Sequence, residues 1–210
     1  MTLVLHDYWR SSAGYRVRIA LNLKGVAYDR IAVDLIGGAQ GQAANLAVNP
    51  QGLVPTLVAG GVPLTQSLAI IDWLDRTYPD PPLYPADHAL RARTLAMALA
   101  IVADIHPIDN LRVLRRLGVQ FGADQAAKDD WYRHWVVVGL GALEETARHG
   151  DGPFLGGAAP GVADLCLVPQ LYNARRFAVA LDDWPRLLAA DAACTVLPAF
   201  AAAHPDRFKP

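Results

Sequence analysis

Apolar and polar positions alternate with two different periods along this chain, and the change of period marks its organisation. Leu3-Val4-Leu5 is a short apolar run suited to a buried strand. From Ser12 the apolar positions Val17, Ala20, Leu21 and Leu23 recur at helical spacing as far as Gly25, which suits the position just past a helix end. Tyr28 to Asp34 alternates as a strand with Ile31 and Val33 on one face, and Gly37 to Gly41 reads as a loop. Thr56-Leu57-Val58, the Gly60-Gly61 turn and Val62 to Thr65 predict a β-hairpin. Ser67 is then expected to cap a helix whose buried face carries Ile70, Ile71 and Leu74 up to Tyr78.

The order βαβ, hairpin, helix predicts a small α/β sandwich of thioredoxin type over residues 1–80. Pro79, Pro81, Pro82 and Pro85 make a stiff linker. Beyond it the helical period dominates, predicting helices over about 88–117, 124–149, 162–179 and 185–197. Pro107 falls inside the first of these and should kink it, because proline removes a backbone donor and clashes with the preceding turn. The expected fold class is therefore an α/β thioredoxin-like N-terminal domain followed by an all-α domain over 88–210.

Composition narrows the function. The 210 residues are 53% hydrophobic and 19% charged, which excludes intrinsic disorder. The formal net charge of -1 and the scattered arginines argue against nucleic acid as a partner. The apolar stretch from Leu95 to Ala103 is far short of the roughly 20 residues that a membrane span needs. Asp7, Arg10 and Arg16 interrupt the N-terminus, so no signal peptide is expected and the cytoplasm is the expected location. Cys166 and Cys194 show no metal or disulfide spacing and read as buried small hydrophobes; no metal is expected.

A thioredoxin-like sandwich offers one special position, the N-terminus of its first helix, where unpaired amides and the helix dipole favour an anion. Redox members place a cysteine there. This chain has Arg10-Ser11-Ser12-Ala13-Gly14 and no thiol. Any sulfur chemistry must use a ligand's thiolate held by hydroxyl donors; alternatively Ser11 or Ser12 is simply a helix N-cap, worth about 1 kcal/mol.

The run Arg10-Ser11-Ser12-Ala13-Gly14-Tyr15-Arg16-Val17-Arg18-Ile19-Ala20-Leu21 resembles the signature of zeta-class glutathione transferases, a class that includes maleylacetoacetate and maleylpyruvate isomerases. Further matching segments follow in order: Asn49 to Pro55, Gln66 to Ile71, Asp104 to Pro107, Ala163 to Gln170 and Ala174 to Phe177. The resemblance covers nearly the whole chain. It implies glutathione as cofactor, contacted by Ser11, Ser12, Ala13, Gly14, Tyr15 and Arg16. Gln42 and Gln51 join them, as does Val54 before a cis Pro55, whose main chain pairs with the tripeptide in strand fashion. Gln66 and Ser67 would take the γ-glutamyl carboxylate at a helix start, and His106, Asn110 and Leu111 match a further contact segment.

The resemblance also implies that Arg10, Arg112 and Arg176 bind the carboxylates of a small dicarboxylate, a task suited to the planar, permanently charged guanidinium. Arg112 points towards maleylpyruvate. The implied activity is glutathione-dependent cis–trans isomerisation of a maleyl dioxo-dicarboxylate by a homodimer, with Ser11 and Ser12 as the catalytic pair. The alternatives are a transferase or dehalogenase acting on small electrophiles such as α-haloacids, and a non-catalytic binding module. The chain departs from the pattern twice. Ala13 stands where the signature has cysteine, and Gly161 replaces the Ser or Thr of a capping box, leaving Asp164 to reach back to the Gly161 amide.

Overall fold

A computed structural model describes residues 1–210. Its contacts divide the chain into two units, Met1–Leu83 with Thr195–Pro210, and Tyr84–Cys194. The C-terminal segment thus departs from the expected 88–210 domain: it belongs to the first unit.

In the first unit, β1 (Leu3–Asp7), α1 (Ser12–Leu23), β2 (Asp29–Ala32), α2 (Ala43–Leu46), β3 (Thr56–Ala59), β4 (Val62–Thr65) and α3 (Ser67–Thr77) follow one another. The four strands form one mixed sheet in the order β2-β1-β3-β4, with β1 parallel to β2 and antiparallel to β3. This is the thioredoxin-like arrangement that the element order predicts. Leu3, Leu5, Val17, Ile19, Leu21, Leu57, Ile70, Ile71 and Leu74 form its core. Gly25 has a positive φ of 63° just past the end of α1, as its placement suggested. The second strand is shorter than expected, and its alternation misleads: Val33 is buried while Ile31 is 47% exposed. β2 is an edge strand, so only part of its apolar set finds cover.

Gln66, not Ser67, holds the N-cap position of α3, with φ 65° and ψ 113°, and Ser67 is the first helical residue. The linker is held by Lys24, whose Nζ donates to Asp75 at 2.7 Å and to the Pro81 carbonyl at 2.6 Å. The last helix, α9 (Pro198–Ala203), packs on α1 within this unit.

The second unit is helical: α4 (His88–Leu99), a π-helical turn over Ala100–Ile105, α5 (Leu111–Phe121), α6 (Gln125–Ala147), α7 (Val162–Arg176) and α8 (Pro185–Thr195), whose final residue falls to the first unit. Instead of one kinked helix over 88–117, the chain makes α4, a π turn and α5. Proline cannot donate to the helical ladder, so the helix widens before Pro107 and restarts after it. Asn110 caps the restart, accepting from the Arg112 amide at 3.1 Å. α7 is the buried centre of the unit, and Cys166 and Cys194 are both buried. Asp164 accepts from the Gly161 and Leu155 amides at 3.0 and 2.9 Å, so the reach back to the Gly161 amide forms although glycine brings no side-chain cap of its own. None of the helices is long and apolar enough to cross a membrane.

Candidate active site

The register of the sheet gathers three separate stretches of sequence. His6 pairs with Thr56, and Thr56 pairs with Thr65. The loop leaving β1, the turn entering β3 and the start of α3 therefore lie at one end of the sheet. These carry Arg10 to Gly14, Val54-Pro55 and Gln66-Ser67.

At the first stretch the chain turns sharply, the Ser11 amide donating to the Tyr8 carbonyl at 2.9 Å. Ser11 is the N-cap of α1 and its Oγ accepts from the Gly14 amide at 3.1 Å. A serine hydroxyl is a donor as well as an acceptor, so capping leaves its proton available to an anion. The capping and the anion-binding readings of Ser11 are compatible. Ser12 is buried in the first turn of the helix. Arg10 is half-buried, with its guanidinium carbon 5.3 Å from the Trp9 ring centroid.

Gly14 is required by a close approach. A Cβ at that position would lie 1.7 Å from Oδ1 of Asp7, so only glycine lets the first turn of α1 pass over that carboxylate. Burial pushes the Asp7 carboxyl upward, opposed by the guanidinium groups of Arg18 and Arg30. The side chains of Tyr15 and Arg16 are only 2% and 1% exposed. Tyr15 packs edge-on to His204, and Arg16 donates to Ser67 Oγ at 3.3 Å, tying α1 to α3. Any contact of these two residues with a ligand falls to the main chain.

At the second stretch the Val54–Pro55 peptide is cis. Val54 is half-buried, and neither its N–H nor its C=O is hydrogen-bonded within the protein. Buried Asn49 shapes the approach, donating to the Leu53 carbonyl and accepting from the Gln51 amide, both at 3.0 Å. At the third stretch Gln66 Nε2 donates to Gln51 Oε1 at 2.9 Å, which brings two of the expected contact residues together. Gln42 is exposed at the start of α2 and caps it with no side-chain hydrogen bond.

In the second unit, His106 and Leu111 are half-buried at the break between α4 and α5, and Arg112 is exposed in the first turn of α5. The Trp131 indole holds the break by donating to the Ile108 carbonyl at 3.0 Å. Arg175 and Arg176 differ in employment. Arg175 pairs with Asp191 at 2.6 Å, whereas Arg176, exposed at the end of α7, donates to Asn173 Oδ1 at 3.0 Å with its guanidinium 5.5 Å from the Phe177 ring. Phe177 stacks on Tyr132 at 3.6 Å between centroids. The Tyr132 hydroxyl bonds the Asn173 side chain and feels both Arg176 and Asp109.

Sequence reasoning missed the burial of Asp109 at the break between α4 and α5. Asp109 is 6% exposed, neither carboxylate oxygen has a hydrogen-bond partner, and burial raises its pKa to about 8. Sequence reasoning also missed Asn49 and Arg18; the only signal for Arg18 was a second arginine on the buried face of an apolar helix.

Comparison with known proteins accords with this geometry. A family model described as the glutathione S-transferase N-terminal domain matches residues 5–82. The maleylacetoacetate isomerase of Rhizobium meliloti is 50% identical over 208 residues, covering 99% of this chain and 98% of that protein. The solved holo structure of a maleyl pyruvate isomerase, described as a bacterial zeta-class glutathione S-transferase, is 46% identical with a TM-score of 0.94 and 96% coverage of both chains. A maleylacetoacetate isomerase of Methylobacterium extorquens AM1, solved with bound malonate and glutathione, is 38% identical with a TM-score of 0.95, covering 99% of this chain and 98% of that one. The chain therefore belongs to the glutathione transferase family, in the zeta class that holds the maleylacetoacetate and maleylpyruvate isomerases.

Proposed function

We propose that this protein is a glutathione-dependent cis–trans isomerase that converts a maleyl dioxo-dicarboxylate, maleylpyruvate or maleylacetoacetate, to its fumaryl isomer. The observation that carries the reading is the meeting of Ser11, Val54 and Gln66-Ser67 at one sheet end, in a chain 50% identical to a maleylacetoacetate isomerase.

The residues present fit the tripeptide. Val54 offers an N–H and a C=O that the protein leaves unpaired, suited to a short extended peptide. The start of α3 offers free helix amides beside the Ser67 hydroxyl and the Gln66 amide, suited to a carboxylate. When bound, glutathione would supply a thiolate for reversible addition to the conjugated double bond, the chemistry that lets a cis double bond become trans without consuming the tripeptide. Ser11 would hold that sulfur by a hydrogen bond from its hydroxyl while its Oγ keeps the cap on Gly14. The amides and dipole of α1 favour the same negative charge, in a site organised before the ligand arrives. Arg10, Arg112 and Arg176 hold the substrate carboxylates, so that positioning rather than proton transfer is the protein's main contribution. Tyr132 and Asn173 orient Arg176 for that task.

Gln42, Gln51, His106, Asn110 and Leu111 complete the glutathione contacts in this proposal, with main-chain contributions from Ser12 to Arg16. A homodimer acting in the cytoplasm fits the same reading. The test is direct: each maleyl substrate is offered with and without glutathione, and the product isomer is identified by proton NMR. Fumaryl product that forms only with both enzyme and glutathione supports the reading; no isomerisation of either substrate would end it.

A further inference from the structure

Arg18 is wholly buried on α1, and each of its three guanidinium nitrogens serves a different segment of the chain. Nη1 pairs with Oδ2 of Asp7 at the end of β1. Nη2 donates to the Trp9 carbonyl at 3.1 Å, in the loop that leads to Ser11. Nε donates to the Ala203 carbonyl at 3.1 Å, at the end of α9. Phe208 covers the guanidinium at 4.6 Å and reaches Arg30 at 5.2 Å, and Arg30 is the second cation on Asp7. The two ends of the Ser11 cap are therefore fixed from below. Trp9 precedes it, and Gly14, its hydrogen-bond partner, rests on the Asp7 carboxylate that Arg18 holds.

We propose that Arg18 is a positioning residue for the thiol-binding loop, and that the C-terminal segment acts on that loop by keeping Arg18 in place through Phe208 and the Ala203 carbonyl. The planar fork is what the geometry needs, since an ammonium cannot address three acceptors in three directions on one plane. A segment far along the chain thereby sets the angle at which Ser11 and the amides of α1 meet the sulfur. This rests on the reading that Ser11 faces the glutathione sulfur.

Replacing Arg18 itself leaves a buried carboxylate short of a partner and threatens folding. The test therefore uses half-buried Phe208. Phe208→Ala, Phe208→Tyr, Asn22→Ala and Ser11→Ala are compared at saturating glutathione. The readouts are the pKa of the bound thiol by thiolate ultraviolet absorbance, the pH profile of kcat, and the melting temperature. Asn22 donates to the Ala199 carbonyl at 3.0 Å, at the start of α9, so its loss weakens the anchoring of that helix while keeping both contacts to Arg18, from Phe208 and from the Ala203 carbonyl.

Phe208→Ala should raise the bound-thiol pKa by about 0.5 and so lower kcat about threefold at pH values below it. Phe208→Tyr, which keeps the ring, should restore both, and Asn22→Ala should lower the melting temperature alone. An unmoved thiol pKa in Phe208→Ala, or an equal rise in Asn22→Ala, overturns the role given to Arg18. Ser11→Ala separates the two claims. No rise there removes Ser11 from the thiol site, whereas a rise there with none in Phe208→Ala removes Arg18 and spares Ser11.

Discussion

Asp109→Asn changes one atom in the side chain and should alter how stability depends on pH. In the folded protein the Asp109 carboxyl is buried with no hydrogen-bond partner, and its pKa stands near 8 against 3.8 for an ordinary aspartate. Below pH 3.8 both folded and unfolded chains keep this proton. Between the two values the unfolded chain releases it and the folded chain does not, so stability falls as pH rises. Above about 8 both states are ionised and the loss is complete. One proton of difference corresponds to at most about 1.4 kcal/mol per pH unit. For a chain of this size each kcal/mol moves the melting temperature by roughly 2–4 °C.

Asparagine carries no titrating proton. Whatever its amide costs in the same pocket is independent of pH and cancels from the slope. Other groups, including His6, whose burial lowers its pKa, are common to both proteins and cancel as well. The melting temperature of Asp109→Asn minus that of the natural chain should therefore climb from pH 5 to pH 8 by roughly 3–6 °C per pH unit at most, and level off above that. Scanning calorimetry of both proteins across this range gives the difference curve. A difference that stays constant from pH 5 to 9 would refute the assignment of a buried, protonated Asp109.

Ser11→Ala should cost about 1 kcal/mol of stability through the lost cap, and should raise the bound-thiol pKa, because a hydrogen bond to an ionised group is worth about 1.5–3 kcal/mol; thiolate absorbance against pH and a melting curve check the two effects separately. Arg176→Ala should raise KM for the dicarboxylate, lowering kcat/KM by about 2 kcal/mol or roughly thirtyfold, with glutathione affinity by calorimetry unchanged and Arg176→Lys recovering only part. Equal losses on a neutral conjugation substrate would return Arg176 to a structural role. Gly14→Ala pushes a methyl against the Asp7 carboxylate and should destabilise by about 2–3 kcal/mol, read as a lower denaturation midpoint with an unchanged m-value.

The elements set by local pattern were legible in the sequence: the hairpin around Gly60-Gly61, the helix from Ser12 ending before Gly25, and a disturbance at Pro107, although as a kink and not as the full break that separates α4 from α5. Each depends on a residue whose backbone freedom or donor count is fixed by its own chemistry. What depends on distant partners was not. Gln66 takes the cap position ahead of Ser67 while its side chain meets Gln51 across the sheet end, and Ser67 takes a hydrogen bond from Arg16; neither contact is visible in the local sequence. The return of Thr195–Pro210 to the first unit follows from α9 packing on α1, and helical period alone cannot say which partner a helix chooses. Ser11, Val54 and Gln66 could be named from the family signature, but their meeting depends on the register that aligns His6, Thr56 and Thr65. Arg18 and Asp109 are both buried in the fold, and the partners that hold or surround them come from segments that local pattern does not bring together.

In the proposed reaction glutathione acts as a returning cofactor and not as a substrate. The most direct test is a count of free thiol against product during turnover of a maleyl dicarboxylate, with substrate in large excess over glutathione. Fumaryl product should accumulate to many equivalents of the glutathione supplied while the thiol concentration stays constant. Loss of one thiol for each product molecule, with turnover stopping when glutathione is exhausted, would contradict it and identify a conjugating transferase instead.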